Sequence, residues 1–469
     1  MLVLLLAGCA RGGPPPDLLA AARATEGTPG EALALGEALQ KAHLDAASIG
    51  PLRAAASAPG PARGPATEAL LGAQERLDEQ LLVPGFLAAQ PEADPISAEA
   101  RERAALLRGL EAQRSGRLEQ AESLLRRIGP GSPLAPRARY ALGIVLSDPH
   151  HPGGPRTQAA LDELQAVLGY SGGGQQGRET RALAQLALAR VLYDLRQDQA
   201  SARAYDAVPP HARVWPQALF ERGYPRFRSG DDGGALGTVH ALRAPQLASS
   251  FLPEARILEA TILFHACLYP ETREVLDGFT STFRPLSDRL RELVRARPAS
   301  SEEVALLADP ARRATLGEGL GESLAAEPRL SAGLRLLRVL EDDRTRLASL
   351  GGDAGPALER LERLRAEAEQ VEADAVHGRL EDVSSALRDL LEQADVLRFE
   401  TTKGEKELLD ADVDQRKLLA ARPLPPLPSG GPADERWRVD GEWWVDEIAH
   451  VRASLKDGCP VRPASPNVR

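Results

Sequence analysis

Lysine is almost missing from this 469-residue chain: five lysines stand against 52 arginines among its 57 basic residues. Aromatic residues are scarce too, at 4%, and there is a single methionine. A sheet protein would draw its core from aromatic and β-branched residues. Here the 43% apolar content is mostly Ala, Leu and Val, which suits helix packed on helix. The arginine bias, with abundant Ala, Gly and Pro, reads as GC-rich coding and carries no functional information. No stretch approaches the ~20 consecutive apolar residues that a membrane-spanning helix needs. The net charge is −10 and both signs are interspersed without a basic patch, which argues against nucleic acid as a partner.

The motifs of catalysis are missing as well. There is no nucleophile elbow, zinc pattern, phosphate loop or dinucleotide fingerprint. The Gly-rich piece Gly169–Gly177 lacks the Gly-Lys-Ser/Thr ending of a phosphate loop. His150 and His151 lie in a Pro-rich loop without further ligands at useful spacing, and read as solvated rather than metal-binding. The expectation is a non-enzyme with no cofactor, no metal and no small-molecule substrate.

What the chain does contain is a ladder. Gly109, Gly116, Ala121, Leu125 and Ile128 return at the same spacing as Gly223, Gly230, Ala235, Val239 and Leu242. A small residue on each of two helices lets the backbones approach, and larger apolar residues one and two turns later fill the groove. The intervening Gly opens the turn. Three looser units follow the pattern: Gly143, Ala160, Leu164 and Val167; Ala189, Ser201, Tyr205 and Val208; Ala260, Thr272, Leu276 and Phe279. The second-helix anchors 121, 160, 201, 235 and 272 are 39, 41, 34 and 37 residues apart. A 34-residue base period with loop insertions resembles the tetratricopeptide (TPR) repeat, a helix-turn-helix unit that stacks into a solenoid. Pro133 falls where that family often ends its second helix, while most units lack its first-helix Trp.

The fourth position after the small first-helix residue is Tyr193, Phe227 and Phe264 in three consecutive units. In TPR relatives that position tends to face the concave groove, so the row, with Arg190, Arg228 and His265 beside it, is a candidate partner-binding surface. Aromatic stripes at helical spacing also serve as repeat core, and that alternative stays open.

The rest of the chain divides by composition. Residues 10–95 are a Gly/Pro tether followed by Ala-rich helices, read as loosely packed or partly disordered, with Glu31–Ala47 and Ala66–Leu82 as helices and a linker at 56–61. The repeats occupy 96–290. Residues 291–412 are long helices with coiled-coil character. Leu361, Leu364, Ala368, Val371 and Ala375 form one seam, which slips phase after His377-Gly378 and resumes at Leu380, Val383, Leu387, Leu390, Ala394 and Leu397. Two antiparallel helices or an intermolecular coiled coil would both satisfy it. Residues 413–433 are a Pro-rich linker and 434–469 a tail holding Trp437, Trp443 and Trp444. A clasp of this tail onto the helical body is favoured over an exposed cluster, which would be sticky. Its acids Glu442, Asp446 and Glu447 read as a solvated face. The fold class expected is therefore all-α: a TPR-like helical solenoid, a long helical hairpin or coiled-coil region, and a short Trp-rich tail.

Residues 2–8, Leu-Val-Leu-Leu-Leu-Ala-Gly, precede Cys9 and resemble a bacterial lipobox, in which the cysteine is lipidated after cleavage. The positive n-region and part of the apolar run are missing here, and a start further upstream would supply both. The resemblance implies residues 1–9 as a signal peptide, Cys9 as lipid carrier, and, with Ala10 rather than Asp next, the periplasmic face of the outer membrane. Cys267 and Cys459 could then pair in an oxidising compartment, although two unpaired thiols are the reading favoured. The whole layout resembles the TPR lipoproteins of envelope machines in gliding delta-proteobacteria. That implies a scaffold whose partners are other envelope proteins. The alternative is an outer-membrane protein assembly factor of the TPR lipoprotein type.

Overall fold

The computed structural model describes residues 27–92, 96–317, 319–410, 441–455 and 458–459. Cys9, the linker 413–433 and Trp437 lie outside the described residues. Every regular element among the described residues is helical, in keeping with the all-α class expected. In chain order the helices are α1 (Pro29–Lys41), α2 (Asp45–Ser57), α3 (Arg63–Leu77), α4 (Leu82–Ala89), α5 (Ala98–Arg114), α6 (Leu118–Leu125), α7 (Ala135–Ser147), α8 (Thr157–Leu168), α9 (Gly174–Asp194) and α10 (Asp198–Asp206). They continue as α11 (Trp215–Glu221), α12 (Gly223–Arg228), α13 (Asp232–Ala241), α14 (Glu254–His265), α15 (Tyr269–Ala296), α16 (Ser300–Ala308), α17 (Pro310–Ala314), α18 (Leu320–Ala326), α19 (Pro328–Ala348), α20 (Gly355–Asp410) and α21 (Val445–Ile448). Pro310 and Pro328 each open a helix, where a missing N–H costs nothing.

The expected pairs α5/α6, α7/α8, α9/α10, α11–α12/α13 and α14/α15 are all present. Their small anchors Ala121, Ala160, Ser201, Ala235 and Thr272 are each 0% exposed. A methyl group on Gly109 would come within 2.9 Å of Leu125, and one on Gly143 within 2.7 Å of Leu164. The glycines are thus seats for leucines of the partner helix, which is the close approach that the ladder implies.

Two further pairs carry the same construction in the N-terminal region. Gly36 on α1 sits under Leu52 of α2, with only 2.5 Å for a methyl group, and the anchor Ser48 is 0% exposed. In α3/α4 the corresponding anchor is Val83, also 0% exposed, followed by Leu87. The turns agree in detail. Seven residues after the first-helix position, His43, Asp78, Gly116, Arg196, Gly230 and Cys267 all take left-handed φ, from 48° to 82°. The next N–H in each case bonds the carbonyl five residues back, as in Arg117 to Ala112 (2.8 Å), Leu44 to Leu39 (2.9 Å) and Leu268 to Leu263 (3.0 Å). This is one C-terminal helix cap used six times. Within the region read as loose or partly disordered, residues 27–92 are therefore ordered helices, and its linker at 56–61 is the end of α2 with part of the connection to α3.

The chain forms two compact units. Among the described residues, the first holds those up to Pro130, Ala299–Ala308 and Ala325–Val376; the second holds Gly131–Pro298, Asp309–Leu324 and those from His377 onward. In the first, Leu35, Ile49, Leu52 and Leu70 share one core with Leu336, Leu340 and Leu347 of α19 and Leu361, Leu364 and Ala368 of α20. The heptad seam is thus used within the chain, between α19 and α20, which meet through the short turn Gly351–Ala354. Its phase differs from expectation. After Ala368 the buried positions are Glu372, Ala373, Val376 and Leu380, while Val371 and Ala375 are only half-buried. Steps of four through 368, 372, 376 and 380 advance the seam around the helix, and Gly333 opposite leaves room for Glu372. In the second unit the later part of α20 runs along α15, with Arg398 donating to Asp277 (2.6 Å) and Thr280 (3.1 Å).

A non-glycine residue in the left-handed region carries about 1 kcal/mol of strain. Gly230→Ala should therefore destabilise the protein by about 1 kcal/mol, while Arg196→Gly should be neutral or slightly stabilising, because relief of strain offsets the entropy of the unfolded glycine. Chemical denaturation of both variants checks the pair.

Candidate functional site

Tyr193, Phe227 and Phe264 lie on the first helices of consecutive pairs, on α9, α12 and α14, and all three are half-buried. They belong to a longer row. The Tyr193 ring is 6.4 Å from Tyr224, which stands edge-on to Phe220 at 5.4 Å. Phe227 is 5.2 Å from His265, whose ring is 5.9 Å from Phe264. Tyr224 and Phe227 were joined by helical spacing alone, three residues apart on α12, and Tyr224 is the member that the repeat count does not single out.

The two arginines beside the row are engaged within the chain. Arg190 grips Glu221 with both arms, at 2.7 and 2.6 Å, and Glu221 also accepts from Tyr205 (3.0 Å) and Gln217 (2.6 Å). Arg228 donates to Asp198 (2.6 Å) and to the Tyr193 carbonyl (2.5 Å), with its guanidinium 3.6 Å from the centre of the Tyr193 ring. A fork already closed on a carboxylate has little left for a partner's acid. Burial, with Glu254, Tyr193 and Glu221 nearby, pushes the Tyr224 hydroxyl up to about 12. Burial likewise raises Glu254, with Glu221 adding to it, and raises Asp232, which His265 partly offsets.

The tail does clasp the body, through Ile448 with Trp443 beside it and not through Trp444. Trp444 is 59% exposed and Trp443 is half-buried, whereas Ile448 of the single-turn helix α21 is 0% exposed. Ile448 joins a cluster with Trp215, Ala241 and Leu247. From there the chain runs antiparallel along α13. Its glycines leave the helix backbone bare: a methyl on Gly237 would lie 2.2 Å from the Val451 carbonyl, and one on Gly233 2.8 Å from that of Ala453. The Ala453 N–H bonds the Gly233 carbonyl at 2.9 Å, and Arg452 pairs with Asp231. Beyond it, Gly458 N–H bonds the Ala266 carbonyl (2.7 Å) and Cys459 forms a disulfide with Cys267. The reading of two unpaired thiols is corrected here. Linear separation of 192 residues hid the pair, because stacking of the repeats brings the last turn to the tail.

Other polar groups are structural. Glu79 is 1% exposed and caps α4, accepting from Leu81 and Leu82 (2.5 Å each) and Val83 (2.8 Å). Burial pushes Glu259 up, but His240, Arg243 and Arg256 together hold it down to about 2. His151, expected in solvent, is buried, with Nδ1 2.8 Å from the Pro152 carbonyl. No cluster among the described residues has the ligands to hold a metal ion, and no described helix is long and apolar enough to cross a membrane. A cleft of about 320 Å³ beside α4 and α6 holds Glu92 against Arg108 and Arg127, with Ser123 also in its lining.

Glu372 is the exception. It is 0% exposed, neither carboxyl oxygen has a hydrogen-bond partner, and burial, only partly offset by Arg329, pushes it up to about 8. The folded protein keeps that proton where the unfolded chain has lost it, so this group costs stability as pH rises from its ordinary value of 4.5 towards about 8. Melting temperature should fall across that window, and Glu372→Gln should raise it by on the order of 5 °C at about pH 8 and little at about pH 5. For the tail, Gly237→Ala would stabilise a free helix, so greater protease sensitivity at 441–459 with an intact body is the expected result, checked by limited proteolysis. A scan against protein-family models finds no match for this chain, and a search of the curated proteins finds none either.

Proposed function

We propose that the protein is a non-catalytic scaffold: a lipid-anchored, TPR-like protein that mediates protein–protein interactions in a bacterial envelope complex, of the kind found in gliding machinery. The observation that carries the reading is the half-buried aromatic row on successive first helices, Tyr193 against Tyr224 and Phe227 against His265 and Phe264, while the strong polar pairs around it are spent on each other. Such a surface suits binding, because aromatic side chains supply contact area at small entropic cost. A disulfide between Cys267 and Cys459 fits an oxidising compartment, which agrees with the lipobox resemblance at Cys9 and an outer-membrane, periplasm-facing location.

The second reading, an outer-membrane protein assembly factor, gains from the same aromatic row. The half-buried carboxylates of Glu254 and Asp232 beside it favour a fixed, charge-matched partner over varied unfolded segments. Crosslinking of the tagged protein in its native envelope, with palmitate labelling of wild type and Cys9→Ala, separates the readings. A few stoichiometric envelope partners and label lost in Cys9→Ala are the expected result. Many nascent barrel proteins would favour the assembly factor, and an unlabelled protein outside the envelope would overturn the lipoprotein reading.

A further inference from the structure

The row between α9, α12 and α14 has an unbalanced charge. Its cations, Arg190 and Arg228, are closed on Glu221 and Asp198. Two carboxylates have no such partner. Glu254, beside Tyr224, is held only by its own backbone N–H, and Asp232, near His265, makes no ion pair among the described residues. Both are half-buried. Anything that covers this face strips their remaining water. An apolar or acidic cover would leave two carboxylates desolvated without compensation, which is costly. A cationic side chain removes that cost, and the half-buried rings of Tyr224 and Phe227 attract cations as well. The row already contains an instance of this chemistry, the Arg228 guanidinium stacked 3.6 Å from the Tyr193 ring centre. Phosphate backbones are repelled for the same reason that cations are drawn.

We propose that this face docks an extended polypeptide segment of a partner protein, with arginine or lysine side chains reaching Glu254 and Asp232 and its backbone crossing the rings of Tyr224 and Phe227. An extended chain sends alternate side chains to one side about 7 Å apart, a spacing that lets successive cations address the row. The proposal rests on the scaffold reading and names the chemistry of its partner.

The test is fluorescence anisotropy with the full-length protein in detergent and a labelled decapeptide alternating arginine and serine. A glutamate–serine decapeptide serves as the counter-probe. The arginine peptide should bind, more weakly as salt rises, and Glu254→Gln with Asp232→Asn should weaken it about tenfold or more. Glu271→Gln with Glu274→Gln, exposed acids on α15 away from the row, should leave affinity unchanged. The groove variant removes unpaired half-buried charge, so its melting temperature should hold or rise, which separates lost binding from lost folding. Equal loss in both double variants, no loss in the groove variant, or binding of the glutamate peptide overturns the proposal. If envelope crosslinks persist in cells carrying the groove variant while the peptide result is negative, the scaffold reading stands and this assignment falls. If wild type gives no stoichiometric partners, the scaffold reading itself falls.

Discussion

Close approach of two helix backbones at a small residue is the constraint on which the structure depends. Where Gly36, Gly109 or Gly143 sits under a leucine of the partner helix, there is no room for a methyl group. That contact fixes the distance between the helices of a pair. The distance in turn requires a tight connection, met by the left-handed residue seven positions later and its N–H to carbonyl bond five residues back. Position twelve must then be a small or β-branched residue with no exposed surface, as Ser48, Ala121 and Thr272 are. Three such pairs lie in the first compact unit and three in the second, where α7/α8 makes the same close approach at Gly143 across a longer loop.

Once the pairs are set, charges must be accommodated in what remains. Glu79 and Glu259 are nearly inaccessible and fully partnered, one by helix N–H groups and the other by two arginines and a histidine. These are costly to bury and cheap once satisfied. Asp343 is intermediate: it accepts the Ala47 N–H at 3.1 Å, yet burial still pushes it up to about 6. Glu372 has no hydrogen-bond partner at all. It stands in a seam position that an apolar residue would normally fill, and its proton is what makes the site tolerable at neutral pH. At the surface Glu254 and Asp232 keep partial access to water, so an unpaired acid costs less there than Glu372 does in the seam.

How far the sequence could be read follows from which of these rules are local. The helical class, the five later pairs and the α19–α20 hairpin were legible because spacing of small and apolar residues along one chain is what encodes them. The α1/α2 pair carried the same signal, Gly36, Ser48 and Leu52, but the Pro and Gly interruptions of this region and the stretch at 56–61 suggested loose chain and a linker. In fact Pro51 is buried inside α2. The seam was misphased at Val371 because periodicity cannot anticipate that Gly333 makes room for Glu372. Of the aromatic row, Tyr193, Phe227 and Phe264 were legible from the repeat count. Tyr224 was not, since it lies one position after the small residue rather than four. That Arg190 and Arg228 are occupied was illegible too, because Glu221 and Asp198 approach from neighbouring turns and helices.

The tail shows why conspicuous residues can mislead. Three tryptophans within eight positions invite the view that they anchor the clasp, yet Trp444 stays in solvent and Ile448 is the buried residue. What receives the tail is an absence of side chains, at Gly233 and Gly237 of α13, where the chain lies directly on helix backbone. Such packing buries little apolar area, so it would be weak alone. The covalent link at Cys267 changes that balance: it confines the tail near its seat, and in the chain-entropy view closing a loop over 192 residues contributes about 5 kcal/mol. Cys267 also occupies the left-handed turn position that Gly116 and Gly230 fill elsewhere in the ladder. A turn residue of the last pair therefore serves both as the cap of its helix and as the tether of the tail, which is how a repeat with no following pair is closed.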